Sequence, residues 1–457
     1  MSTIAESGAF VRRELVSALP PPLIARGFIG FTREHLFSGP FNIVMTLICA
    51  ALFALALPPI LRFLLIDAVW EGESRDACLN ATGACWPFVR AKFGQFVYGF
   101  YPIAERWRPN VVYALCALLL VPLLIPSAPF KRSNAILFFG IFPIVAFVLL
   151  TGGNLELRTF VLGRIVNWQA LVGPDAIFGL RLSFWSDFVA SALLLTAIAA
   201  AIARSIGAEA RALASAILSG FVLLGIVLFA ADVDLGLPPV ETRLWGGLLV
   251  TLVVAITGIV ASLPLGILLA LGRRSSMPIV RFFSVIFIEF WRGVPLITVL
   301  YFASYMLPLF LPTGLSFDGL LRVLVGVTLF AAAYMAEVVR GGLQAIPKGQ
   351  YEGAMAVGLG YWQTMGLIIL PQALTLVIPG IVNNFIGLFK DTTLVLIVAI
   401  FDFLGQLRAA FTDPNWASPV TLYTGFAFAG MVYFVFCYGM SRYSQFLERR
   451  GAIGKHR

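Results

Sequence analysis

Histidine is almost missing from this chain: the two present, His35 and His456, stand near opposite ends. That argues against a histidine-built metal centre or a nucleophile–histidine relay, and the sequence yields neither catalytic nor metal-ligating candidates. Charge is scarce as well. The 32 basic and 23 acidic side chains make up only 12% of 457 residues, whereas soluble domains carry about 25%. A water-covered surface cannot be built from so few. No GxxxxGK[ST] phosphate loop occurs, and Gly-Leu-Gly at 358–360 lacks the third glycine and the preceding strand of a dinucleotide fingerprint. Neither nucleotide chemistry nor a cofactor is indicated. Cysteines number five. Cys49, Cys116 and Cys437 fall in apolar runs as small packing residues. Cys78 and Cys85 share one hydrophilic loop, where an oxidising compartment would allow a disulfide.

What the chain has in abundance is apolar surface. Hydrophobic residues reach 60%, with 40 phenylalanines, and mean hydropathy is +0.93. The chain therefore reads as an all-α polytopic membrane protein. Ten segments approach the roughly 20 residues that a bilayer core requires: 41–60, 111–127, 134–151, 184–203, 212–230, 246–271, 294–312, 322–339, 372–389 and 419–441. Thr392–Leu404 is a further apolar stretch, a candidate re-entrant segment. Gly293-Val-Pro295 and Pro264 are expected to bend or start helices.

The net charge of +9 suits lipid headgroups and topology control rather than nucleic acid, because the basic residues lie between apolar runs. With the N-terminus inside, the inner segments collect 19 of the 32 basic residues and the outer ones 13. Both termini are then cytoplasmic, the N-terminal tail being residues 1–40 and the C-terminal tail 446–457. The first apolar run begins too late for a cleaved signal peptide.

The chain divides near residue 240. Residues 41–239 form a five-span extension with a long outer loop at 61–110. Its Gly99-Phe-Tyr-Pro102 and Arg106-Trp-Arg-Pro109 place aromatics where the headgroup level is expected. Residues 240–445 hold five more spans and nearly all the motif-like sequence. The second half is not a visible duplication of the first, which weighs against a carrier built from inverted repeats.

The most informative stretch is Ile346–Pro371. Pro347 suits a first helical turn, and Tyr351, Met355, Leu359 and Trp362 recur at helical spacing as an apolar stripe. Gly353, Ala354, Gly358 and Gly360 leave room for close approach. Such a helix either docks against a partner or rests on the membrane surface. Glu352-Gly-Ala354, Gly358, Ile368, Leu370 and Pro371 resemble the EAA loop of ABC-transporter permeases. Gly353 is the one departure, since that pattern has alanine there. Glu289–Pro295, Tyr334–Gly342 and Lys390-Asp-Thr392 resemble the polar-amino-acid branch over residues 243–445. The extension resembles the M-type permease subunit of the general L-amino-acid transport system of alphaproteobacteria.

The resemblance implies a type I importer core with a cytoplasmic coupling helix at 347–366, and a subunit that is not an enzyme. It implies an ATP-binding cassette ATPase dimer, a second related permease, a periplasmic amino-acid-binding protein and an L-amino acid substrate, in a bacterial inner membrane. Coupling would rest on Glu352, Gly353, Ala354, Gly358, Leu359 and Pro371. Asn383, Asn384, Lys390, Asp391, Glu337 and Arg340 are candidates for the translocation pathway or its gate, because polar groups at membrane depth are costly. The structural alternatives are local ion pairs for the charged residues and helix–helix hydrogen bonds for the asparagines. The other functional reading is an ion-coupled secondary amino acid transporter that works without an ATPase.

Overall fold

A computed structural model describes residues 30–153, 160–173, 176–177, 180–205, 210–232, 235–310 and 317–453. Most of the expected N-terminal tail and the last four residues lie outside them. Among the described residues, eight helices are long and apolar enough to cross a membrane: Pro40–Ile66, Ile103–Leu124, Lys131–Thr151, Leu182–Ser205, Gly247–Arg273, Gly319–Ala345, Ile378–Val398 and Thr421–Arg450. The pair Pro278–Gly293 and Leu296–Phe310, bent by 103°, makes a ninth if counted as one span. Ala210–Asp232 carries the shorter apolar stretch Ala214–Ala230. All ten apolar segments thus fall on helices. The strand content is one antiparallel pair among the described residues, Ala176–Ile177 with Leu180–Arg181.

Several boundaries differ from the sequence reading, and proline or glycine accounts for most of them. The segment read as 294–312 is preceded by an amphipathic helix, Pro278–Gly293, which ends at the Gly293-Val-Pro295 bend. The segment read as 372–389 is two helices, Leu370–Leu376 and Ile378–Asp391, each with a proline in its first turn. Thr392–Leu404 is not a separate crossing. Thr392–Val398 completes the preceding span, Ala399 turns it at a φ of 60°, and Phe403 begins a new helix. Pro264, by contrast, sits inside the uninterrupted helix Gly247–Arg273. Membrane helices tolerate proline where neighbours satisfy the freed carbonyl.

Two compact units are present: the described part of Met1–Pro87 with Ser418–Val420, and Phe88–Ala417 with Thr421–Arg457. In the first unit, Pro40–Ile66 buries none of its most apolar window. The following loop folds back on that helix's end through Ala84 N–H to Phe63 O at 2.7 Å and the Trp86 indole N–H to Leu64 O at 2.9 Å. Cys78 and Cys85, both fully buried, are joined there by a disulfide with Cα atoms 5.8 Å apart.

In the second unit the functional frame needs five labels: α1 (Gly247–Arg273), α2 (Pro278–Gly293), α3 (Gly319–Ala345), α4 (Lys348–Ala356) and α5 (Ile378–Asp391). The most extensive helix pairing is α1 with α3. Lipid tails are as apolar as leucine, so helices associate through close packing of small residues. Gly258, Ser262 and Gly266 provide it at four-residue spacing, all buried. A Cβ on Gly266 would stand 2.7 Å from Met335 Cβ, and one on Gly258 2.8 Å from Leu388 Cδ2.

The segment 99–108 is held from several sides, and Gly99 bridges Trp245 just before α1. Tyr101 is 1% exposed and donates its hydroxyl proton to Leu150 O at 3.0 Å. Arg108 is fully buried, donating to Pro238 O at 2.8 Å and pairing with Glu105 at 2.8 Å. Of the aromatics in this segment, Phe100 and Trp107 are exposed, whereas Tyr101, expected at the headgroup level, is buried within the protein.

Asp402 is the polar hub of this end. It is fully buried, caps the helix Phe403–Ala410 by accepting from Gly405 N–H at 2.9 Å and Leu404 N–H at 3.3 Å, and accepts from the Tyr433 hydroxyl at 3.2 Å. Burial outweighs these donors and raises its pKa to about 6. A raised folded-state pKa favours the protonated form, so this group's contribution to stability is complete below about pH 4 and falls as pH rises through about 6. Asparagine keeps a capping oxygen without the charge. Asp402→Asn should therefore gain stability relative to the unmodified protein between pH 4 and 7, by up to about 2–3 kcal/mol. Thermal unfolding of the purified protein across that range checks this, and parallel pH profiles would contradict it.

Candidate coupling segment and the charged cluster behind it

The segment after α3 is shorter and more broken than one continuous helix. α4 covers nine residues, Lys348–Ala356, entered from Pro347. It ends because Gly358 adopts φ 77°, with Gly358 N–H bonded to Met355 O at 3.0 Å and Leu359 N–H to Ala354 O at 3.1 Å. That hydrogen-bonded exit into left-handed backbone is a glycine stop. After Gly360 the chain restarts with a short turn, Tyr361–Gln363, and widens through Thr364–Ile369 into the helix holding Pro371.

This break changes the expected stripe. Tyr351 faces the core, whereas Met355 and Trp362 are 65% and 70% exposed. Leu359 is half-buried and Ala354 fully packed. The outward face combines Glu352 and Gly353 with Met355, Val357, Tyr361, Trp362 and Leu367. A Cβ on Gly353 or Gly358 would meet nothing within 4 Å of this chain. The glycine at 358 thus answers to backbone conformation within the chain, and the space around it is open.

The inward face is firmly held. Arg274, just past α1, donates to Leu343 O at 3.0 Å and to the Tyr351 hydroxyl at 3.2 Å, with its guanidinium 5.7 Å from the Tyr351 ring centre. Gln372 donates to the Gln350 side chain at 3.2 Å. Beneath lies an apolar cluster with Ala270, Ile288, Met335, Val339, Leu343 and Ile369.

Glu337 and Arg340 do pair, as their i,i+3 spacing predicts, at 2.8–3.1 Å. Their surroundings are richer than the sequence suggested. Arg273 at the end of α1 bridges Glu337 at 3.0 Å and Glu289 at 2.8 Å. Arg292 from α2 lies 3.7 Å from Glu337 and 4.0 Å from Glu289. Glu337 is 16% exposed and so is the most buried member. Three helices are tied together at one end by a single carboxylate. Arg273 and Arg274 were not singled out in the sequence because they look like ordinary inner-rim basic residues.

Lys390 and Asp391 lie elsewhere. Leu388 on α5 abuts Gly258, 15 residues along α1 from Arg273, or about 22 Å at 1.5 Å per residue. Lys390 and Asp391 follow Leu388 and continue away from the Glu337 cluster. Lys390 is exposed and Asp391 half-buried. Asn383 is exposed, while Asn384 is half-buried with a side-chain amide nitrogen that has no partner. Lys390 and Asp391 therefore stand apart from Glu337 and Arg340, whereas Asn383 and Asn384 follow Gly380, where a Cβ would stand 3.0 Å from Cγ1 of Val338, the neighbour of Glu337.

A helical frame with eight or more crossings, a bent span and a braced loop between spans defines a multi-pass membrane permease. Residues 262–452 match the family described as the binding-protein-dependent transport system inner membrane component. The chain is 42% identical over 93% of both chains to the inner membrane amino-acid ABC transporter permease protein YhdY of Escherichia coli K12. It is 42% identical to the glutamate/glutamine/aspartate/asparagine transport system permease protein BztC of Rhodobacter capsulatus, over 97% of this chain and 98% of that one. A crystal structure of an amino acid ABC transporter with histidines aligns at 26% identity and a TM-score of 0.39, covering 45% of this chain and 92% of the other. The chain belongs to the ABC-transporter permease family of binding-protein-dependent transport systems.

Substitutions at Gly358 and at Glu337 probe this site. Gly358→Asn should retain near-normal coupling, because asparagine tolerates left-handed backbone. Gly358→Ala should lose roughly 1 kcal/mol of local stability, and Gly358→Trp should additionally block a partner in the open space. ATP hydrolysis by the assembled transporter is the readout, and equal effects of alanine and tryptophan would confine the role of Gly358 to backbone geometry. Separately, Glu337→Gln should destabilise the purified transporter by roughly 1.5–3 kcal/mol and lower its Tm more than Glu289→Gln does. Equal shifts would deny Glu337 its central place.

Proposed function

We propose that this subunit passes L-amino acids into the cytoplasm and that its outward-facing segment around α4 is the element on which an ATP-binding cassette ATPase docks. The observation that carries this reading is the asymmetry of that segment. One face is bonded to the ends of α1 and α3, and the other leaves five large apolar side chains more than half exposed beside two glycines whose added Cβ would meet nothing within 4 Å. A helix resting passively on the membrane would not need the Arg274–Tyr351–Leu343 brace.

In this reading ATP hydrolysis resides in a partner ATPase dimer, and this chain contributes none of that chemistry. ATPase closure pushes Glu352, Gly353 and the Gly358 turn. The push passes through Leu359 and Ala354 to the packed cluster, and through Pro371 to the helix that leads into α5. Asn383, Asn384, Lys390 and Asp391 line the pathway on that span, and the Glu337–Arg340 cluster keeps the inner end closed or braced. A second related permease completes the passage, and a periplasmic amino-acid-binding protein delivers substrate. The amino acid class is supported by the printed names of the relatives.

Residues 240–445 serve as the permease domain, which the family match at 262–452 largely overlaps. Residues 41–239 are a membrane extension, and 1–40 and 446–457 are cytoplasmic tails. The orientation, with both termini inside, is supported by the distribution of basic residues.

Purification from native membranes should bring down an ATPase and a related permease. Uptake of labelled amino acids into vesicles should cease when the ATPase cannot hydrolyse ATP. Uptake by this polypeptide alone, driven by an ion gradient, would replace this reading with that of a secondary transporter.

A further inference from the structure

Behind the coupling segment lies a recess of about 420 Å³ lined by Arg273, Arg274, Arg281, Val285, Arg340 and Gln344. Its walls come from three places: the end of α1, the first half of α2 and the last turns of α3. Four of its six lining residues are arginines, and among the described residues the carboxylates paired with arginines there are Glu289 and Glu337. Counting Arg292 with the four gives five guanidinium groups against two carboxylates, an excess of three positive charges. Arg273 and Arg340 are already engaged by Glu337. Arg274 is held by neutral oxygens only, and the Arg281 side chain has no carboxylate partner among the described residues.

Arginine groups spend their hydrogen bonds best on planar or tetrahedral oxyanions, often with two parallel contacts. Uncompensated guanidinium groups gathered round one cavity repel each other, so an anion placed among them gains electrostatically and completes their bonding. The neighbouring surface indicates which anion. α2 carries Arg281 and Val285 into the recess and exposes Ile279, Phe282, Phe283 and Ile286 beside it, each between 48% and 70% exposed. A headgroup set into the arginines would leave its acyl chains against those side chains.

We infer that this recess binds a phosphate group, carried by an anionic phospholipid headgroup or free in solution, and that the bound group ties α1, α2 and α3 together beside the coupling segment. Basic recesses between membrane helices hold phosphate-bearing headgroups by this chemistry. The site shares Arg273 and Arg340 with the Glu337 network but adds Arg274 and Arg281, which that network does not engage, and it does not depend on which amino acid is carried.

The test uses the assembled transporter after delipidation. It is exposed to vesicles of phosphatidylethanolamine alone or mixed with an equal part of phosphatidylglycerol, and retained lipid is read by native mass spectrometry. A parallel arm titrates inorganic phosphate in lipid-free micelles and follows the unfolding temperature. Arg281→Gln removes the unpaired guanidinium and should weaken binding about tenfold, with Arg281→Lys recovering part of it. Phosphatidylglycerol retained by the unmodified transporter and lost in Arg281→Gln assigns a headgroup. A phosphate-dependent rise in unfolding temperature that Arg281→Gln abolishes assigns a free anion. Equal behaviour of the unmodified and variant transporters in both arms overturns the proposal. So does cross-linking of Arg281→Cys to the ATPase or the second permease in the delipidated complex, which would give the recess to a protein partner.

Discussion

The arrangement depends on the burial of one carboxylate among several guanidinium groups. Glu337 sits near the end of a membrane helix at 16% exposure, where an isolated charge would cost several kcal/mol. It is tolerated because Arg273, Arg340 and Arg292 reach it from three different helix ends. That requirement works in both directions. The charge is stabilised only while α1, α2 and α3 keep their ends together, and those ends stay together partly because the charge is there. α3 then runs directly into the coupling segment, and Arg274, next to Arg273, holds Tyr351. Under the proposed function, a push on α4 would meet this ion-paired junction through Arg274.

The other end of α1 is held by different physics. Gly247 donates its N–H to Phe401 O at 2.9 Å, and the Thr251 hydroxyl accepts from Phe403 N–H at 2.9 Å. Asp402, Gln406 and Gln95 extend this network into the extension, with Gln95 donating to Gln406 at 3.0 Å. Hydrogen bonds replace ion pairs here, and the glycines allow backbone to approach backbone: a Cβ on Gly247 would stand 2.1 Å from Phe96 O. Between extension and core this unit also leaves an apolar cavity of about 890 Å³, bounded by Phe142, Ala146, Leu249, Val253 and Leu324 among others. Beside it, Tyr101, Val112 and Leu150 join the same buried apolar cluster as Leu249, Val254 and Val323.

Much of this was legible in the residues. Apolar run lengths marked every helix that crosses, and Gly293-Val-Pro295 marked the bend. The i,i+3 pairing of Glu337 with Arg340 followed from helix geometry. Other features were not legible, for identifiable reasons. A four-residue apolar spacing implied one helix over 347–366, but the left-handed turn at Gly358 stops it after nine residues, and periodicity carries no information on backbone handedness. Pro264 was expected to bend or start a helix, and it starts none: it lies inside Gly247–Arg273. Tyr101 read as a headgroup-level aromatic and the burial of Arg108 was not foreseen, because burial of a polar side chain depends on carbonyls such as Leu150 O and Pro238 O that lie far away in the chain. The link from Arg273 to Glu337 spans 64 positions, beyond any local pattern.

The central claim is that the face bearing Met355 points to the cytoplasm and is covered by an ATPase. It is tested most directly by a single cysteine at that position, with Cys49, Cys116 and Cys437 replaced by serine. Intact cells and inverted membrane vesicles would be treated with a membrane-impermeant maleimide, with and without the ATPase subunit present. The account predicts no labelling from outside, strong labelling in inverted vesicles, and protection when the ATPase is bound. Labelling in intact cells, or labelling indifferent to the ATPase, would contradict it.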